Sequence, residues 1–393
     1  MLKRLRKMLI IGASIAICSV TCMYIWVLLE WLFGNEYRLG MSYCYCLIFI
    51  EALAQYPVIG ACIDGGLRKS NNSPGSGVLV SVLSEGLLCW LVYLLLPSYI
   101  QLIGVSASWL PVLNFFVGYS AISYLLQTVL VPITFDDKET LATVLQVVFY
   151  IFSIGVLLLT GWTTGNEHLT YFITLGVSSV YVLGISLWSV KCARLEFAIP
   201  RWLKMQLVPI IGVFVCIIVY FLDIFRVSRA TESMLLSMTF TLYVTDIQWD
   251  MLGAVASVRK IEVSHGERER KQTLIAAYVY LGILIVTELV LILCLHTSFS
   301  GLHLMFFLLD FGIQLLHMGL STAYDIQAVD LGVFAPTKNL ALVLLVSNGV
   351  RVGCSFLLQT PYAAMLGQVG YSVTAFICYS CLSRKYLKRS QET

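Results

Sequence analysis

Long apolar runs alternate with short polar breaks along almost the whole chain, and each run has about the 20 residues that a helix needs to cross the hydrocarbon of a bilayer. The runs fall near 9–33, 41–63, 77–97, 108–132, 140–160 and 169–190, and again near 206–224, 234–257, 273–296, 302–325, 339–359 and 361–381. This pattern predicts an all-α polytopic membrane protein of twelve transmembrane helices. The polar loops of the first six runs recur in the second six, which divides the chain into six-helix bundles over 1–198 and 199–393. Because six is even, the two halves share one orientation and form a parallel pseudo-repeat about an axis along the membrane normal.

Composition sharpens the class. Of 393 residues, 59% are apolar and 12% charged, half the charge of an average soluble domain, so a soluble globular fold is excluded. A net charge of +3 gives no reason to expect a nucleic-acid partner. The position of the basic residues is more informative. With both termini cytoplasmic, the outside loops hold only Arg38, Arg226 and Arg229, and Arg351 lies within a run, while every other Lys and Arg falls inside. Such asymmetry is the positive-inside signature, and it points to the plasma (cytoplasmic or inner) membrane. The first run follows Lys3, Arg4, Arg6 and Lys7 without a small-residue cleavage site, so it reads as a retained span. Trp26, Trp31, Trp109 and Trp162 fall near run boundaries and are expected to anchor the interface.

No loop is long enough for a catalytic domain and no phosphate-binding glycine loop occurs. The five histidines are scattered, so an enzyme is not expected. Most of the twelve cysteines lie in apolar runs and read as small core residues. The Cys44/Cys46 and Cys378/Cys381 spacings lack accompanying His or carboxylate, and neither a disulfide nor a metal site is expected.

Charged residues within lipid are costly, on the order of 2.5–3.5 kcal/mol each at a helix centre, so those inside runs are candidates for function. They are Glu51, Glu85, Asp246, Asp250, Glu288, Asp310 and Arg351. Asp246 and Asp250 stand one helical turn apart with Trp249 between them, a spacing at which two carboxylates repel unless hydrated, protonated or bridged by a cation. Pro57, Pro111 and Pro209 are positioned to kink or break their runs. In the tenth run Asp310, Gln314, His317 and Ser321 form one polar stripe; in the eleventh Asn348, Arg351, Ser355 and Gln359 form another. Asp310 and Arg351 lie at matching depth, about 12 Å from the outer ends, which predicts an ion pair between them. The acids Asp246, Asp250, Glu51, Glu288 and Asp310 are the candidates for coupling a cation or proton, and Glu85, Gln314, His317, Asn348 and Trp249 are further polar candidates.

The segment Ala254 to Thr273, an apolar run end followed by Gly266 and a charged stretch, resembles the eighth-to-ninth-helix junction of the multidrug and toxic-compound extrusion (MATE) family of the MOP flippase superfamily. Gly60 to Lys69 is its counterpart in the first half. Leu96 to Gly104, Phe135 to Thr140 and Ala335 to Asn339 resemble other junctions of that family. The resemblance implies two bundles around a cavity, alternating access, and export or flipping coupled to Na+ or H+, with no other cofactor. It also implies acids in the first, seventh, eighth or tenth helices; here the first run has only Glu30 at its outer end, Asp223 ends the seventh, and Asp310 takes the tenth-helix position. Gly60 to Lys69 resembles more distantly the loop between helices two and three of the major facilitator superfamily.

The expected function is secondary active transport of an amphiphilic or lipophilic, cationic small molecule by a monomer in the lipid bilayer. Flipping of a lipid-linked oligosaccharide, a major-facilitator-type transporter and a non-transporting membrane partner are the alternatives.

Overall fold

The computed structural model describes residues 1–34, 37, 39–68, 73–192, 200–227, 229–267, 269–295, 301–358 and 360–386. Its helices are α1 (Leu2–Phe33), α2 (Gly40–Ala52), α3 (Tyr56–Arg68), α4 (Ser73–Ile103), α5 (Leu110–Phe135), α6 (Glu139–Thr164), α7 (Glu167–Cys192), α8 (Pro200–Val227), α9 (Glu232–Ser264), α10 (Lys271–Leu295), α11 (Leu304–Phe334), α12 (Thr337–Leu357) and α13 (Ala363–Tyr386). Among the described residues, nine helices are long and apolar enough to cross a membrane. Every expected run falls on helix. The second run alone is divided, by a 3-10 turn at Leu53–Gln55 between α2 and α3.

Proline explains two of these boundaries. Pro57 is the second residue of α3, where its missing N–H interrupts the ladder from the preceding turn. Pro111 occupies the same place in α5, after a short 3-10 turn at Ala107–Trp109, so it starts a helix instead of kinking one. The Pro209 side chain lies outside the described residues.

The chain divides into two compact units, Ala16–Leu203 and Met1–Ile15 with Lys204–Thr393. In the first, α5 is the central post, buried almost all round from Val112 to Leu130 and packed against α2, α3, α4, α6 and α7. Its core is aromatic: Phe115 stacks on Tyr171 at 4.4 Å, Phe116 lies 4.7 Å from Trp26, and Tyr119 shares a 2.7 Å hydrogen bond with Ser153. Trp26 is fully buried and packs on the face that Gly40 leaves open. It is therefore a core residue and not the interface anchor expected from its position, whereas Trp31 and Trp162 are exposed as anchors would be.

In the second unit α9 is buried over a long stretch, from Leu235 to Gln248 apart from occasional half-buried positions, and packs against α10 and α11, with α13 between α11 and α12. The start of α1 joins this unit. Gly12 lies so close to the Tyr280 hydroxyl of α10 that a Cβ at position 12 would overlap it. At the basic-loop end, Arg4 reaches Glu262 at 2.5 Å, Glu267 at 2.8 Å and Gln272 at 2.6 Å. Glu262 also binds Arg259 at 3.1 Å and accepts from Thr273 at 2.7 Å, while Arg259 pairs with Asp330 of α11 at 2.6 Å. Arg259 is only 1% exposed. Buried at that level, a guanidinium is tolerable only because two carboxylates face it.

Removing it takes the ion-pair partner from buried Asp330 and leaves Glu262 to Arg4 alone. Arg259→Ala is expected to destabilise the folded protein by about 3–5 kcal/mol, read as a lowered unfolding midpoint of the purified protein in detergent, with Arg259→Lys recovering only part because an ammonium lacks the guanidinium fork.

Candidate functional site

Several polar residues of the second unit line one seam between its helices. Helical spacing puts Asp310, Gln314 and His317 on a common face of α11, and α9, α12 and α13 bring partners to it. Trp249 of α9 donates its indole N–H to Gln314 Oε1 at 3.0 Å, and its ring centre lies 4.2 Å from that of His317. The Asp310 carboxyl has the Thr241 and Gln314 side chains as polar neighbours. His317 Nδ1 is 2.6 Å from the Ser372 hydroxyl on α13, with the Tyr371 and Tyr324 rings at 5.8 and 6.3 Å.

Ser372 Oγ lies between His317 Nδ1 and the Gln368 carbonyl, at 2.6 and 2.7 Å. Its one hydroxyl proton serves one of the two, and the imidazole tautomer decides which. Either way Nδ1 is engaged by Ser372, and Nε2 is the nitrogen left to meet another group.

Arg351 of α12 closes the seam from the other side, and its partner corrects the sequence expectation. Its guanidinium reaches Asp223 of α8 at 3.4 Å and lies over the Tyr220 ring, 4.6 Å from its centre. The expected pair with Asp310 is replaced because Asp223 and Tyr220, one turn apart on α8, present an acid and an aromatic face together. Asp310 turns instead toward α9. Asn348, a turn before Arg351, is buried and donates to the Leu344 carbonyl at 3.0 Å.

Of the other candidates, Asp246 is buried and Asp250 exposed, although they share one helix and one turn. Glu288 of α10 and Glu85 of α4 are both buried apart from this seam, and neither has a hydrogen-bond partner for either carboxylate oxygen among the described residues. The Glu51, Ser355 and Gln359 side chains lie outside the described residues.

No protein-family sequence model and no curated protein matches the chain. Solved structures do. A MATE protein in the bent conformation matches with a TM-score of 0.71 at 12% identity, covering 99% of this chain and 96% of that one. An outward-facing multidrug resistance MATE family transporter of the MOP superfamily matches at 0.67 and 13% identity, covering 96% and 94%. The Vibrio cholerae MATE transporter VcmN in its bent form matches at 0.66 and 10% identity, covering 98% of both chains. This chain has the MATE fold.

Within that MATE fold, the sequence identified Asp310, Gln314, His317, Asn348, Arg351 and Trp249 as members of the polar set and missed what joins them. Tyr220, Thr241, Gln368, Tyr371 and Ser372 were indistinguishable from ordinary span residues, since hydroxyls and amides are common in apolar helices. Asp223 carried a usable signal, an acid near the end of α8 with Tyr220 one turn before it. The pairing is directly testable by double-mutant cycles on unfolding free energy. Asp223→Asn with Arg351→Gln is expected to show a coupling of about 0.5–3 kcal/mol, and Asp310→Asn with Arg351→Gln a smaller one.

Proposed function

We propose that the protein is an alternating-access secondary transporter, and not an enzyme, that exports an amphiphilic or lipophilic cation in exchange for Na+ or H+. The observation that carries this reading is the polar seam of half-buried Asp310, Gln314 and Trp249 with buried His317 in a chain with the MATE fold. A carboxyl inside a membrane helix is costly, and here it shares one face of α11 with Gln314, which binds the Trp249 indole, and with an imidazole two turns away. Those are the parts needed to hold a cation or proton reversibly. The outward-facing structure that this chain matches is a multidrug resistance transporter, which supports a small-molecule cargo. Arg351 is engaged by Asp223 and Tyr220, so it is a lock between α8 and α12 more than an anion receptor, and that favours cationic over polyanionic cargo.

In this reading the molecule works as a monomer in the plasma membrane, crosses it twelve times as two six-helix halves, and has both termini on the cytoplasmic side. Asp246 and Asp250 then belong to the cargo and coupling path along α9. Lipid-linked oligosaccharide flipping is the alternative that remains if small cations are not moved.

Proteoliposomes loaded with a lipophilic cationic dye and given an inward Na+ or H+ gradient test the reading. The wild type is expected to show gradient-dependent efflux, and Asp310→Asn to fall to the level of protein-free vesicles while Asp223 and Arg351 keep it folded. Gradient-independent or absent flux from folded wild-type protein would reject cation-coupled export.

A further inference from the structure

The break between α2 and α3 has a consequence for the backbone beside it. In a continuous helix the Ala54 carbonyl would accept from the N–H of residue 58, and in a 3-10 turn from that of residue 57. Residue 57 is proline and has no N–H. Val58 gives its N–H to Ser81 Oγ of α4, at 3.0 Å. The Ala54 carbonyl is therefore left without either helical donor, at a position where Ala54 is completely buried.

The packing register brings a carboxylate to the same level. α3 and α4 run antiparallel and close together: a Cβ on Gly77 would sit 2.5 Å from Ala61 Cβ. One turn further along both helices, Ser81 meets Val58. One more turn in this register places Glu85 level with Ala54, and the 3-10 turn does pack on α4. Glu85 is 2% exposed, and neither of its oxygens has a hydrogen-bond partner among the described residues.

We propose that Glu85, Ser81 and the Ala54 carbonyl form a sodium-binding site in the unit Ala16–Leu203. Carboxylate, hydroxyl and carbonyl oxygens are the donors that hard cations take. The charge count selects a monovalent one. α5 carries no Asp, Glu, Lys or Arg, and neither does the 3-10 turn. The charged residues of α3 are Asp64 and Arg68, and Asp64 is about 15 Å further along the helix from Ala54. The one acid of α2 is Glu51, whose side chain lies outside the described residues. Among the described side chains, Glu85 is the one carboxylate at this level, which matches a single positive charge. The other unit provides a contrast: Glu288 of α10 is also buried and unbonded, but α9 runs past it unbroken and frees no carbonyl.

The use of this ion in coupling rests on the transporter reading above; its binding does not. The test is therefore a binding measurement, radioactive 22Na+ retained by the full-length protein in lipid nanodiscs, with excess unlabelled Na+ and choline as controls. Wild type is expected to hold Na+, Glu85→Gln to hold one ion fewer per chain, and Asp310→Asn to keep that ion. Ser81→Ala and Glu85→Asp are expected to remain folded and to bind more weakly, which decides the matter if Glu85→Gln fails to fold. Equal binding by wild type and these variants, or none by wild type, overturns the proposal. So does an infrared band of a protonated carboxyl at neutral pH in high Na+ that disappears in Glu85→Gln, because Glu85 would then be a neutral buried acid. A protein that moves no dye leaves the ion count unchanged, so the two readings fail separately.

Discussion

Glu262 is held between two arginines, and through it four helices of one unit are tied at their basic-loop end. Arg4 brings α1, Arg259 and Glu262 bring α9, Thr273 brings α10, and Asp330 extends the chain of charges to α11. None of these contacts would be worth much in water, where ion pairs are screened and each side chain has a solvent alternative. Their weight comes from burial, since a group taken out of water and left alone is far more expensive than the pair is favourable. The same asymmetry governs the seam at membrane depth. Arg351 must have Asp223, and His317 must have Ser372, because lipid offers neither of them anything.

The two units answer this constraint differently. Ala16–Leu203 is organised around an apolar and aromatic post, α5, whose Tyr119 hydroxyl is met by Ser153 of α6. The other unit is organised around polar contacts that run from the Glu262 cluster to the seam of α9, α11, α12 and α13. The labour is divided in this way, with the one described break in a membrane-length run in the first unit and the histidine, the indole and the arginine in the second.

The sequence made the helices legible because most apolar runs have the length that a spanning helix needs, and nine helices among the described residues meet it. It made the polar stripe on α11 legible because residues at spacings of three and four must share a face. It did not reveal which stripe meets which. Counted from the run ends Asp310 matches Arg351 in depth and Asp223 does not, yet Arg351 takes Asp223: depth counted along a helix carries no information about which helix lies opposite. Arg259, Glu262 and Asp330 were hidden for another reason: at a run end, a buried ion-pair network and a solvated charged loop look the same. Trp26 shows the converse error, since a tryptophan near a run boundary is as ready to fill the space over a glycine as to meet headgroups. The break at Leu53–Gln55 was signalled by Pro57, but a proline alone does not tell a kink from an interruption.

The tether on His317 has a last implication. An imidazole that relays protons does so by accepting at one nitrogen while releasing from the other. Nδ1 of His317 faces Ser372, and the other neighbour of that hydroxyl is the Gln368 carbonyl, which takes up no proton. Nε2 is therefore the one open face of the ring, a cul-de-sac rather than a corridor. Any proton that reaches it must leave by the side from which it came.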